Sequence, residues 1–139
     1  LELRSEEMEV INLRIQKKYK EIEEKEVRYE EYLLEDAEYA IVAFGSAARI
    51  AKKSIEIARG QGIKVGLLRP ITLWPFPTKE VQKLAGKVKG ILSLEINAGQ
   101  MVEDIRLAVE GKVPVQHFGR LGGIIPDPDE VVDAIKRLF

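Results

Sequence analysis

Few side chains in this sequence are equipped for chemistry, and their spacing narrows what they can do. There is one histidine, His117, and no cysteine. A lone histidine cannot build a multi-histidine metal site. Without thiols, the 139 residues contain no disulfide, thiolate-ligated zinc, iron–sulfur ligation or thiol catalysis. His117 has no cysteine to activate and no evident Ser–Asp companions, so it reads as structural. The densest polar segment is Glu95-Ile96-Asn97-Ala98-Gly99-Gln100. It falls where a strand is predicted to enter a helix, at the sheet edge where open α/β folds bind ligands. No histidine or second carboxylate accompanies Glu95, so acid–base catalysis is not expected there. Asn97 suffices as a helix cap. Contact with a partner domain is the functional reading of Glu95, Asn97 and Gln100.

Gly45-Ser46 also lies between a predicted strand and helix, where phosphates sit in dinucleotide and P-loop folds. The turn reads Gly45-Ser46-Ala47-Ala48-Arg49, which lacks G-x-G-x-x-G and any Gly-Lys-Ser/Thr. A tight turn and a serine cap explain it without an anion. Arg69 stands where a 2′-phosphate ligand would, but the glycine fingerprint that would support this is missing. Around Arg120, Gly119, Gly122 and Gly123 form a flexible loop whose N–H groups could hold an anion or simply allow a close turn. The most unusual stretch is Leu68-Arg69-Pro70-Ile71-Thr72-Leu73-Trp74-Pro75-Phe76-Pro77. Its three prolines enforce an extended path, and Trp74 and Phe76 lie between them. Aromatic residues on a stiffened loop suit a protein–protein contact, and they equally suit a lid over the domain's own core.

These residues need a frame to hold them. Short apolar runs from Tyr39 to Phe44, Ile63 to Leu68, Gly90 to Ile96 and Val113 to Phe118 predict buried strands. Between them, helical patterns run after Ser46, over Thr78 to Val88 and over Gly99 to Glu110. The last helix has the plainest start: Asp127 as cap, Pro128 in the first position and Glu130 to close a capping box. Strands alternating with helices at this spacing predict a three-layer α/β/α domain over residues 37–139, with a mostly parallel sheet of four to five strands.

Residues 1–36 differ in kind. They contain no glycine or proline and are rich in Glu, Lys and Arg. Ser5 can cap a helix there, and Met8, Ile11, Ile15, Tyr19 and Ile22 form one apolar stripe that continues less cleanly through Tyr29 and Leu33. A helix with so little apolar surface is marginal alone. It reads as a linking helix packed on a neighbouring domain, as a self-pairing coiled coil, or as a segment unfolded in isolation. The net charge of −1 gives no reason to expect nucleic acid or an anionic membrane as partner. No run approaches the ~20 apolar residues of a membrane span. A cysteine-free chain rich in Glu and Lys fits a cytoplasmic protein from a hot environment. A start at Leu1 fits a piece of a longer polypeptide.

The strand ending in Phe44-Gly45-Ser46, the Leu68–Pro77 loop, Glu95-Ile96-Asn97-Ala98-Gly99-Gln100 and Gly122-Gly123 come in an order that resembles one family. It is similar to the transketolase C-terminal-like domain in the α subunit of 2-oxoacid:ferredoxin oxidoreductases, the 2-oxoglutarate type above all, over about Asp36 to Phe139. The resemblance implies an enzyme that decarboxylates a 2-oxoacid oxidatively with coenzyme A and passes electrons to ferredoxin. Thiamine diphosphate, magnesium and iron–sulfur clusters would belong to the full complex, with no cofactor and no catalytic residue in this chain. The expected partners are a preceding domain, the β subunit and other subunits. Their contact surface would draw on Arg69, Pro70, Trp74, Phe76, Glu95, Asn97, Gln100, Gly122 and Gly123. Two other readings share these features: a stand-alone anion- or nucleotide-binding regulatory module with a dimerising helix, and the equivalent domain of another thiamine-dependent transketolase or dehydrogenase subunit.

Overall fold

Runs of apolar residues with side chains pointing alternately to opposite faces dictate the core. In the computed structural model, which describes residues 4–138, strand β2 (Tyr39–Ala43) lies at the centre of a five-stranded sheet. Ile41 and Ala43 point to one face and Ala40 and Val42 to the other, and all four are fully buried. Burying a side chain the size of Ile41 contributes about 1.5–3 kcal/mol. Strands β3 (Val65–Pro70) and β4 (Gly90–Glu95) flank β2 in parallel, and β5 (Val115–Gly119) extends the sheet beyond β4. Helices α2 (Gly45–Gly60) and α5 (Pro128–Lys136) cover the Ile41 face. Helices α3 (Thr78–Ala85) and α4 (Met101–Val109) cover the Val42 face. The three layers and the mostly parallel sheet are those predicted from sequence, and strand bounds differ by one or two residues.

The N-terminal region departs from the expected single helix over 1–36. Helix α1 spans Ser5–Lys25 and stops there. Residues 29–32 instead form β1 (Tyr29–Tyr32), the fifth strand, antiparallel to β3 at the sheet edge. Its stability is tertiary. The Glu30 carboxylate accepts from Lys52 at 2.6 Å and from Arg69, its cross-strand partner, at 2.9 Å. Lys52 also lies 5.3 Å from the centroid of the Tyr32 ring. Partners from β3 and α2 thus override the helix propensity of a Glu-rich stretch. The chain then turns at Leu33, whose carbonyl accepts from Arg59 Nη2 at 2.8 Å. Gly66 makes this turn possible. A Cβ there would lie 2.4 Å from the Leu33 carbonyl oxygen.

Three predicted caps fare differently. The Asp127–Glu130 capping box is present in full. Ser5 and Ser46 make no capping bond: α1 starts after Arg4 and α2 after Phe44, and neither has a side-chain cap. In α2, the turn depends on Gly45, whose φ is +56°. Residues 1–3 and 139, the ends of the expected helix and domain, lie outside the described residues.

Candidate functional site

The carboxyl edge of the sheet gathers most of the polar residues singled out above, in an arrangement the sequence did not disclose. Glu95 ends β4 and is fully buried. Both of its oxygens are occupied. Oε2 accepts from the backbone N–H groups of Met101 at 2.9 Å and Gln100 at 3.1 Å. Oε1 accepts from the Val102 N–H at 3.0 Å and the Ser93 hydroxyl at 2.9 Å. Burial alone would push this carboxyl up. The hydrogen bonds from Met101, Gln100, Ser93 and Asn97 outweigh it, so the pKa lies below the ordinary glutamate value. Glu95 is therefore an ionised cap for the first turn of α4, placed where the helix dipole favours negative charge.

This corrects two expectations. Asn97 does not cap α4; its Oδ1 accepts from the Gly99 N–H at 2.7 Å and closes a local turn. Glu95, sealed inside, offers nothing to a partner. The expectation that no histidine accompanies it also fails, because β5 runs beside β4. His117 lies opposite Ser93, and its Nε2 comes to 3.9 Å from Glu95 Oε1. That nitrogen is buried and has no hydrogen-bond partner among the described residues. Only register could have revealed this neighbour, since 22 positions of sequence separate the two. Glycines close the edge. A Cβ on Gly119 would fall 2.3 Å from the Asn97 carbonyl oxygen and 2.8 Å from His117 Cε1. An acid with every lone-pair direction engaged is not available as a general base. Through these bonds Glu95 positions the Asn97–Gln100 loop.

The other nominated residues scatter. Pro70 is buried at the end of β3, and Arg69 is half-buried against Glu30. Gln100 is exposed, and Gly122 and Gly123 form an exposed turn with φ of +65° and +80°. The aromatic loop divides its duties. Phe76 packs against the Val42-side core, whereas Trp74 is 56% exposed. The loop is held to the segment after α1: Ile71 and Thr72 N–H both donate to the Arg28 carbonyl, and Thr72 Oγ1 accepts from the Arg28 N–H. Trp74 meets α1 through Tyr19, edge to face, with ring centroids 5.5 Å apart. Between this loop, the end of α1 and the start of α3 lies a groove of about 810 Å³, lined in part by Glu23, Glu24, Tyr29, Trp74, Phe76 and Glu80. Sequence reasoning found the loop and missed the α1 and β1 walls, because it had placed Tyr29 on the helix.

Iron–sulfur ligation needs cysteines, of which there are none, and among the described residues no group of three His, Cys, Asp or Glu side chains could hold a metal ion. None of the described helices is long and apolar enough to cross a membrane.

The sheet, parallel except for one antiparallel edge strand and covered by helices on both faces, has the transketolase-like fold. The fold matches 2-oxoglutarate:ferredoxin oxidoreductase from Magnetococcus marinus with a TM-score of 0.83 at 22% identity, over 99% of this chain and 24% of that one. It also matches a split-gene transketolase with a TM-score of 0.67 at 16% identity, over 78% of this chain and 41% of that one. Residues 37–131 match the model of pyruvate:ferredoxin oxidoreductase core domain II, and the chain belongs to that family. Among curated relatives, the ketoisovalerate oxidoreductase subunit VorB of Methanothermobacter thermautotrophicus is 46% identical over 95% of this chain. The 2-oxoglutarate synthase subunit KorA of the same organism is 31% identical over 78%. The chain spans 37% of the length of the first of these relatives and 29% of the second.

Proposed function

We propose that this chain is a non-catalytic assembly domain of the α-type subunit of a 2-oxoacid:ferredoxin oxidoreductase. The observation that carries the reading is the family match over residues 37–131. The complete enzyme decarboxylates a 2-oxoacid oxidatively, forms the coenzyme A thioester and delivers electrons to ferredoxin in the cytoplasm. Its thiamine diphosphate, magnesium and iron–sulfur clusters are held by other domains and subunits. Helix α1 links the domain to the polypeptide that precedes it. The Trp74 loop and the Asn97–Gln100 turn are contact surfaces for neighbouring domains and subunits, with Arg69 and Glu95 acting from within to hold them.

The relatives also bear on the substrate. Identity is 46% to the ketoisovalerate subunit and 31% to the 2-oxoglutarate subunit of one organism. This supports a branched-chain 2-oxoacid in place of the 2-oxoglutarate implied by the sequence resemblance. The test is dye reduction by the purified complete enzyme with each 2-oxoacid. A higher kcat/KM for 3-methyl-2-oxobutanoate is expected; a preference for 2-oxoglutarate reverses the substrate assignment. Removing residues 37–139 from the complete enzyme should abolish co-elution of its subunits on gel filtration. An intact complex after that deletion would end the assembly reading.

A further inference from the structure

The groove beside Trp74 has a composition that selects its occupant. Its aromatic surfaces come from Trp74, Tyr29 and Phe76, and Trp74 and Tyr29 are 56% and 39% exposed. Its charged lining is Glu23, Glu24 and Glu80 against Lys79 alone. Glu23 and Glu24 form no ion pair among the described residues, although the surrounding helix is rich in lysine. Glu80 has a side chain only 15% exposed, and its one ion pair, with Lys83, is a long 4.0 Å approach. Carboxylates around exposed π-faces attract cations twice over, by charge and by the ring quadrupole. An anion would meet repulsion from three carboxylates. A purely apolar segment would leave Glu80 partly desolvated and without a good partner.

We infer that this groove binds a basic segment of another polypeptide, inserting an arginine side chain between Trp74 and Glu80 while apolar neighbours cover Phe76. Arginine suits the site better than lysine, because its planar guanidinium can stack on the indole and still donate to carboxylates. The inference rests on the assembly reading for its biological setting and adds the chemistry of the partner.

The chain carries its own reporter, since Trp74 is its one tryptophan. Titration with the peptide acetyl-Leu-Arg-Leu-Arg-amide should give a saturable change in tryptophan fluorescence. The peptide with citrulline in place of both arginines keeps shape and loses charge, and should bind at least tenfold more weakly. The double variant Glu23→Gln, Glu24→Gln changes only exposed positions of α1 and should weaken arginine-peptide binding at least threefold, as should Glu80→Gln. No saturable response, equal response to both peptides, or binding unaffected by all these substitutions would overturn the inference. Peptide binding by a chain that plays no part in subunit assembly would overturn the proposed function and leave the groove's chemistry standing.

Discussion

Helix α1 and the Glu95 edge both carry carboxylates, yet they solve opposite problems. At the edge, one buried carboxylate satisfies three backbone N–H groups and a hydroxyl, and a Cβ on neighbouring Gly119 would collide with the Asn97 carbonyl oxygen. Helix α1 has no buried residue, and its stripe leaves Met8, Ile11 and Tyr19 about 40% exposed. The first region is complete within the chain. The second leaves its apolar stripe largely uncovered among the described residues, which supports the proposed contact with a neighbouring domain. A buried charge belongs to internal architecture here, and the exposed apolar stripe is where the proposed interface can be tested.

The contrast breaks most visibly at Glu95. Glu95→Ala orphans the first N–H groups of α4 in a sealed site and should cost about 3–5 kcal/mol, read from urea unfolding. A loss below about 1 kcal/mol would mean that the edge is not sealed. Acid should expose the same dependence. The folded-state pKa of Glu95 is lowered, so its contribution is fully present above the unfolded value of about 4.3 and is lost as pH falls through the lower folded value. Unfolding free energy should therefore fall in this acid range, and Glu95→Gln should flatten that slope.

Next comes the junction between the regions. Gly66→Ala drives a methyl into the Leu33 carbonyl and should cost about 1–3 kcal/mol, with faster amide exchange in β1. Unchanged protection of residues 29–32 would show that β1 does not depend on this close approach. The smallest effects on folding belong to the arm. Removing residues 1–25 loses chiefly the Tyr19–Trp74 contact and should change stability by about 1 kcal/mol. Trp74→Ala should likewise shift folding by less than about 1 kcal/mol. In the complete enzyme it should weaken subunit assembly clearly. A large fall in melting temperature with unchanged assembly would move Trp74 from the interface to the core.

What the sequence disclosed divides along the same line. Strands buried on both faces announce themselves, so β2, β4 and the helices between them were legible, as was the Asp127 capping box. Strand β1 was not, because Tyr29-Glu30-Glu31-Tyr32 becomes a strand only when Lys52 and Arg69 supply partners from distant positions. Glu95 is legible in the sequence as a polar group at a strand end, but not as a cap. Its segment suggested an outward-facing group, while its capping role depends on three N–H groups five to seven residues ahead. His117 became its neighbour through the β4–β5 register alone.

In the proposed role, this domain serves its enzyme without holding the cofactor. Calorimetric titration of the folded chain with thiamine diphosphate and magnesium tests it most directly. Heats indistinguishable from dilution are expected, and saturable binding would contradict the proposed role.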